Sequence, residues 1–207
     1  MTSSPAAVRR TGRPRDARID AAVLAATADL LEQVGYADFT LEAVAARAGT
    51  TKPAIRRRWP SRQHLVVDAL ASSMGTAPTP DTGCTHCDLI IGINTLTRAF
   101  TDTVARRVLP ALVADLAEDA QLAESFRDRL FHPRRATTAE ALRRGIERGD
   151  IRADADIDLL LDLLAATTYY RVLFNHLPVT PDLAEQVVLV VLGGVATDQW
   201  RSRPAPH

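Results

Sequence analysis

Residues 48–62 read AGTTKPAIRRRWPSR, with five cations (Lys52, Arg56, Arg57, Arg58, Arg62), one of the chain's two tryptophans and no acid. A charge run of this kind is ordinarily the solvated face of a helix. This one is punctuated. Gly49 offers a turn position open to positive φ. Thr51 is a helix N-cap. Pro53 falls in the first turn, where its missing N–H costs little. Trp59-Pro60 closes the helix, because a residue before proline resists helical geometry, and Ser61 caps the next one. The spacing predicts a short helix over 51–59 whose exposed side is almost wholly cationic. Ala54 and Ile55 are left to face inward or toward thymine methyl groups.

Working outward, apolar residues at Ile19, Val23, Ala26, Leu30 and Val34 form a helical stripe from Asp16 to about Val34, with Gly35 as its C-cap. Thr40 caps a short helix over 41–48, with Val44, Ala45 and Ala48 turned inward. A fourth helix runs from Ser61 to about Ser73. Two short helices joined by a glycine turn, the second of them cationic, make a helix-turn-helix arrangement. Trp59 closes its helix instead of standing among exposed aromatics, so it reads as a core wedge.

The rest of the chain also reads as helices, so the fold class is all-α. A Pro/Gly/Thr segment, GTAPTPDTG at 75–83, marks the best domain boundary. Long helices follow at about 86–107, 121–148, 156–176 and 181–200, with a short one from Pro110 to about Ala117. The expected division is a basic arm (1–15), a DNA-binding head (16–74), a linker (75–85), a body (86–200) and a tail (201–207).

Formal net charge is zero, but residues 1–64 carry 11 Lys+Arg against 6 Asp+Glu, a net of +5, and the remainder carries 14 against 19, a net of −5. A basic head on an acidic body suggests a polyanion at the head. Of the 25 cations only Lys52 is lysine, so no single arginine is strong evidence by itself. The hydrophobic fraction of 46% is enough for a core. The start of the chain has no apolar run of signal-peptide type, and no apolar stretch is long enough to span a bilayer. A cytoplasmic protein with no membrane association is expected.

The segment FTLEAVAARAGTTKPAIRRRWPSRQHLVVDAL resembles the tetracycline-repressor-like (TetR) family of bacterial regulators over roughly residues 15–70. Thr40, Val44-Ala45, Ala48-Gly49, Lys52, Ile55 and Pro60-Ser61 fall on the family's pattern, Thr51 stands for its Ser, Trp59 for its Phe and Arg62 for its Lys. GIERGDIRADADIDLLLDLLAATTYYRVL resembles the second half of some members. The resemblance implies a homodimeric regulator, by family habit a repressor rather than an activator, that binds palindromic double-stranded operator DNA. It assigns Thr40, Thr50, Thr51, Lys52, Pro53, Arg56, Arg57 and Arg62 to the DNA. Thr40 and Thr51 would hold phosphates, Lys52 would reach the major groove, and Arg57 and Arg62 would bind phosphates. The family has an aromatic residue where this chain has Arg56, whose role stays open between phosphate and guanine. Arg9, Arg10, Arg13 and Arg15 on the arm would reach the minor groove or backbone.

The resemblance also implies a body that binds an effector and dimerises through its last two long helices. Apolar stripes fit this: Leu161 and Leu164 on one helix, Val187, Val190, Val191 and Gly194 on the other. A monomer's own core would use the same stripes equally well. Effector-pocket candidates are Asn94, Phe100, Phe126, Phe131, His132, Tyr169, Tyr170, Phe174 and Asn175, each of which is also ordinary core or surface. With 5% aromatics the pocket would be mostly aliphatic, suiting a small, partly apolar molecule. The alternative is a DNA-bound regulator controlled by a protein partner, which a body without a cavity would favour.

Cys84, His86 and Cys87 offer three soft ligands, with His132 or His176 as a distant fourth. Zinc's structural sites need four, and a CxxC pair is otherwise a redox switch or merely a linker–helix junction. No metal and no cofactor are expected. No nucleophile elbow, phosphate loop or HExxH motif occurs, which argues against an enzyme.

Overall fold

The computed structural model describes residues 17–202 apart from Thr76 and Thr79. The arm arginines Arg9, Arg10, Arg13 and Arg15 lie outside the described residues. The order is α1 (Ala17–Asp38), α2 (Leu41–Arg47), α3 (Lys52–Arg56), α4 (Arg62–Met74), α5 (Thr85–Thr101), α6 (Ala105–Glu118), α7 (Ala120–Phe126), a π-helical turn (Arg127–Phe131), α8 (His132–Glu147), α9 (Ile157–Phe174), α10 (Leu183–Val195) and α11 (Asp198–Arg201). The chain is all-α, and among the described residues the only β pairing is an isolated bridge between Ile151 and Ala196.

The head forms as its punctuation dictates. Gly35 breaks α1 with φ 80°, ψ 178°. Thr40 Oγ1 accepts from the Ala43 N–H at 3.2 Å, Thr51 Oγ1 from Ala54 at 3.3 Å, and Ser61 Oγ from His64 at 3.3 Å. Each cap satisfies an amide that the helix start leaves without a partner. Val44, Ile55 and Trp59 are buried with Val23, Leu31, Phe39 and Leu65. The Trp59 Nε1–H donates to Asp68 Oδ2 at 2.8 Å, so the wedge's one polar atom is satisfied.

This apolar cluster does not stop at the linker. It continues through Val108, Leu109 and Leu112 of α6, Leu122 of α7 and Leu130 of the π turn. A second cluster joins α5, α8, α9 and α10 through Leu89, Ile93, Leu142, Leu164 and Val188.

Several body helices differ from the periodic reading. The helix expected over 86–107 ends at Thr101, and the one expected to start at Pro110 starts at Ala105. Thr103 is the reason: its hydroxyl donates to the Ala99 carbonyl at 2.6 Å and accepts from the Ala105 N–H at 3.1 Å, taking the backbone out of the helix ladder. The expected 121–148 helix opens into a π turn just before Pro133. That proline has no N–H to donate, and its ring crowds the carbonyl four residues back, at Arg129. The last helix breaks at Ala196, where Ile151 pairs with the backbone.

Candidate nucleic-acid interface and body cavity

The three consecutive arginines have different surroundings. Arg58 is turned inward: its Nε lies 2.5 Å from Asp20 Oδ1 on α1, and its Nη1 donates to the Ala54 carbonyl. Arg56 and Arg57 are exposed, and their side chains make no hydrogen bond or ion pair among the described residues. Two guanidiniums therefore stand free at the end of α3, Arg56 as its last residue and Arg57 as its C-cap, one turn beyond the Thr51-capped start. Gly49 makes the turn before it with φ 63°. Thr50 is half-buried and its N–H donates to the Ala45 carbonyl at 2.9 Å, while Pro53 is exposed in the first turn of α3. The hydroxyls of Thr40 and Thr51 accept from the Ala43 and Ala54 amides and keep a proton to donate outward.

Two residues of the expected set are engaged within the chain. Lys52 is ion-paired with Glu42 on α2, and this holds the Glu42 carboxyl below its ordinary range. Arg62 Nη1 donates to the carbonyls of Ala37 and Phe39 at 3.3 and 3.2 Å, and its guanidinium lies over the rings of Tyr36 (5.5 Å) and Phe39 (5.2 Å). Arg62 thus ties the start of α4 to the end of α1.

In the body, a cavity of about 240 Å³ lies between α5, α8 and α9. It is lined by Ile93, Leu96, Phe131, Arg134, Arg135, Thr138, Leu161, Asp162, Ala165, Ala166 and Tyr169. A narrower cleft beside it is walled by Leu70, Met74, Phe100, Leu109, Phe126 and Tyr169. Of the expected pocket residues, Phe131 and Tyr169 line the cavity, and Phe100 and Phe126 line the cleft with Tyr169. Tyr169 packs edge-on against Phe100 at 4.9 Å, and burial pushes its phenol pKa up. Asn94 is half-buried and lines neither space, and His132 is exposed. Tyr170 and Phe174 stand outside both, 57% and 67% exposed. Asn175 ends α9 in the left-handed region and accepts from Arg106 Nη2 at 2.8 Å.

Sequence reasoning missed Arg134. Its Nη1 donates to the Leu130 carbonyl at 2.8 Å and its Nη2 to the Gly75 carbonyl at 2.6 Å. Neighbouring Arg135 is held by Asp162 at 2.5 Å and Asp158 at 3.0 Å.

The expected dimer stripe divides. Leu161, Leu164 and Val191 are buried in the chain's own second core and Val187 packs against it, while Val190 is 78% exposed and Gly194 is exposed. α9 is apolar around most of its circumference. Its outer side shows Leu159, Leu163, Tyr170 and Phe174, and beside them α10 shows Leu189 and Val190.

The cysteines sit at a helix start. Cys84 Sγ caps α5 by accepting from the Cys87 N–H at 3.2 Å. The hydrogen bond to Cys84 and burial push the Cys87 thiol up to about 11, away from the thiolate that a reactive cysteine needs. Among the described residues no three His, Cys, Asp or Glu side chains form a metal-holding group. His176 instead packs on Tyr170 at 4.6 Å. No helix of the described chain is long and apolar enough to cross a membrane.

Residues 23–69 match the family of bacterial regulatory proteins described as the tetR family, and residues 79–191 match the tetracyclin repressor-like C-terminal domain. The chain is 31% identical over 187 residues to the HTH-type transcriptional regulator YdeS of Bacillus subtilis, covering 90% of this chain and 94% of that protein. It is 30% identical over 196 residues to the HTH-type transcriptional regulator AqdR of Rhodococcus erythropolis, covering 94% and 91%. The crystal structure of the TetR family transcription regulator SCO0332 superimposes with a TM-score of 0.71 at 34% identity, over 86% of this chain and 98% of that one.

Proposed function

Because this chain belongs to the TetR family of transcriptional regulators and is a DNA-binding regulator and not an enzyme, we propose that it is a ligand-responsive repressor, acting as a homodimer on palindromic operator DNA. A small, partly apolar effector releases it. The observation that carries this reading is the pairing of α3 with a lined cavity in one chain. The end of α3, whose start Thr51 caps, presents free Arg56 and Arg57, and the space between α5, α8 and α9 is the size of a small molecule. That space also favours an effector over control by a protein partner alone.

In this reading the head is 16–74, the linker 75–85 and the body 86–200. Arg56 and Arg57 meet phosphates or base edges, and Thr40, Thr50, Thr51 and Pro53 approach the backbone. Lys52 exchanges Glu42 for DNA. The outer face of α9 and α10 pairs with its copy and spaces the two α3 helices about one DNA turn, ~34 Å, apart. Effector and DNA act against each other only if the effector prefers the arrangement that does not fit DNA.

The test is a salt-titrated DNA-binding measurement on the fragment upstream of the chain's own gene. Wild-type affinity should fall steeply with salt, and R57A should reduce the log–log slope by about 0.9, the share of a single neutralised phosphate. Binding that is insensitive to salt and no tighter than to random DNA sinks the reading.

A further inference from the structure

Arg134 is the one cavity-lining cation whose charge no acid answers. Arg135 and Asp162 share the wall but neutralise each other at 2.5 Å, with Asp158 on the far side of Arg135 at 3.0 Å. Arg134 has only two carbonyl oxygens, those of Leu130 and Gly75, and no ion pair among the described residues. It is half-buried against apolar walls, and burial lowers its pKa. A guanidinium taken out of water without an anion is costly, so such a site favours a ligand that brings one. Two of its five N–H groups are used, but a carboxylate accepts a parallel pair along one edge of the planar fork, so turning that edge into the cavity draws Nη2 off the Gly75 carbonyl. Tyr169 supplies a neutral phenol on the same wall. The remaining lining is aliphatic or aromatic apart from Thr138, and about 240 Å³ is below the ~300–1,000 Å³ of drug-sized sites.

Arg134 also lines the cleft beneath Leu70 and Met74 and the gap beside Gly75, so one side chain touches both the cavity and the end of α4. Gly75 is the C-cap of that helix.

We propose that the cavity takes a compact apolar monocarboxylate, that Arg134 holds its carboxylate, and that this contact competes with the bond from Arg134 to the Gly75 carbonyl. The proposal rests on the effector reading above and names the chemical class of the effector. Ligand binding then loosens α4, the helix that carries the Trp59 partner Asp68, from the body.

The experiment measures binding of 3-phenylpropionate and hexanoate, and of their neutral primary amides, to the full chain by calorimetry. Hydrogen exchange at the last turn of α4 is followed in parallel. In wild type the acids should bind about tenfold or more tighter than the amides, as a charge-assisted pair does over a neutral one, and should speed exchange at 71–74. R134Q should bind acid and amide equally and show no change in exchange. R134K keeps the cation without the fork and should retain a smaller preference, so the comparison stands if R134Q fails to fold. Amides that bind as tightly as acids overturn the anion assignment and leave the effector reading intact. A preference that survives in R134Q overturns the role of Arg134, and unchanged exchange on acid binding overturns the competition at Gly75. If neither series binds to a chain that still binds its DNA, both this proposal and the effector reading of the cavity fail.

Discussion

Gly49 and Arg62 show how much of the head's geometry rests on single positions. Gly49 has φ 63° with open space where a Cβ would stand, so G49A meets a backbone penalty and no clash. A side chain in this left-handed region costs about 1–2 kcal/mol, and thermal melting should fall by about 2–8 °C in a chain of this size. Arg62, expected on phosphate, is bonded to Ala37 and Phe39 and lies on two rings. R62A should therefore destabilise the fold by about 1–3 kcal/mol in urea unfolding, while the salt slope of DNA binding stays at its wild-type value. A fall in slope with unchanged stability would return Arg62 to the phosphate set. The caps at Thr40, Thr51 and Ser61 were readable from sequence because a cap is a contact within four residues. The partners of Arg58 and Arg62 were not, since Asp20 and Phe39 come near only when α1 crosses the head.

At the scale of the element, α9 explains why the body was less legible than the head. Its apolar residues run around most of the helix, so periodicity offered two stripes, and packing against α5, α8 and α10 decided between them. Leu161 and Leu164 went into the core, leaving Leu159 and Leu163 outside. The same non-local choice hid Arg134, whose place on the cavity wall depends on the register that the π turn imparts to α8. If the outer face is the dimer interface, V190D should yield monomers in sedimentation with helical content unchanged, because Val190 is 78% exposed and makes little of the chain's own core. A V190D protein that stays dimeric would place the interface elsewhere. Separation of the protomers should also weaken binding to a palindrome far more than to a half-site.

Across the whole molecule, the head and body meet through polar contacts as well as the shared apolar cluster. Tyr36 donates to Asp115 Oδ2 of α6 at 2.5 Å, Arg107 Nη1 donates to the Glu32 carbonyl at 2.8 Å, and Asp68 pairs with Arg129 at 3.0 Å. Burial, with Asp115 beside it, holds the Tyr36 phenol well above its ordinary value. A raised folded-state pKa means that this contribution is present in full below the ordinary phenol range near 10 and is lost as pH climbs above it. Y36F should cost about 1–2 kcal/mol at neutral pH, and its stability should fall less steeply than wild type above pH ~10. Parallel alkaline profiles for the two proteins would remove Tyr36 from the account.

Asp68 accepts from the Trp59 indole and pairs with Arg129 at once, and this has an optical consequence. One of the chain's two indoles is wired by a single carboxylate to the seam between its halves. In a W200F background, with Trp59 the one indole left and excited to the red of the tyrosines, any parting of that seam should alter the field along the indole and shift its emission. R129A should mimic the shift without ligand. The chain thus carries its own fluorophore at the joint whose opening would need to be timed.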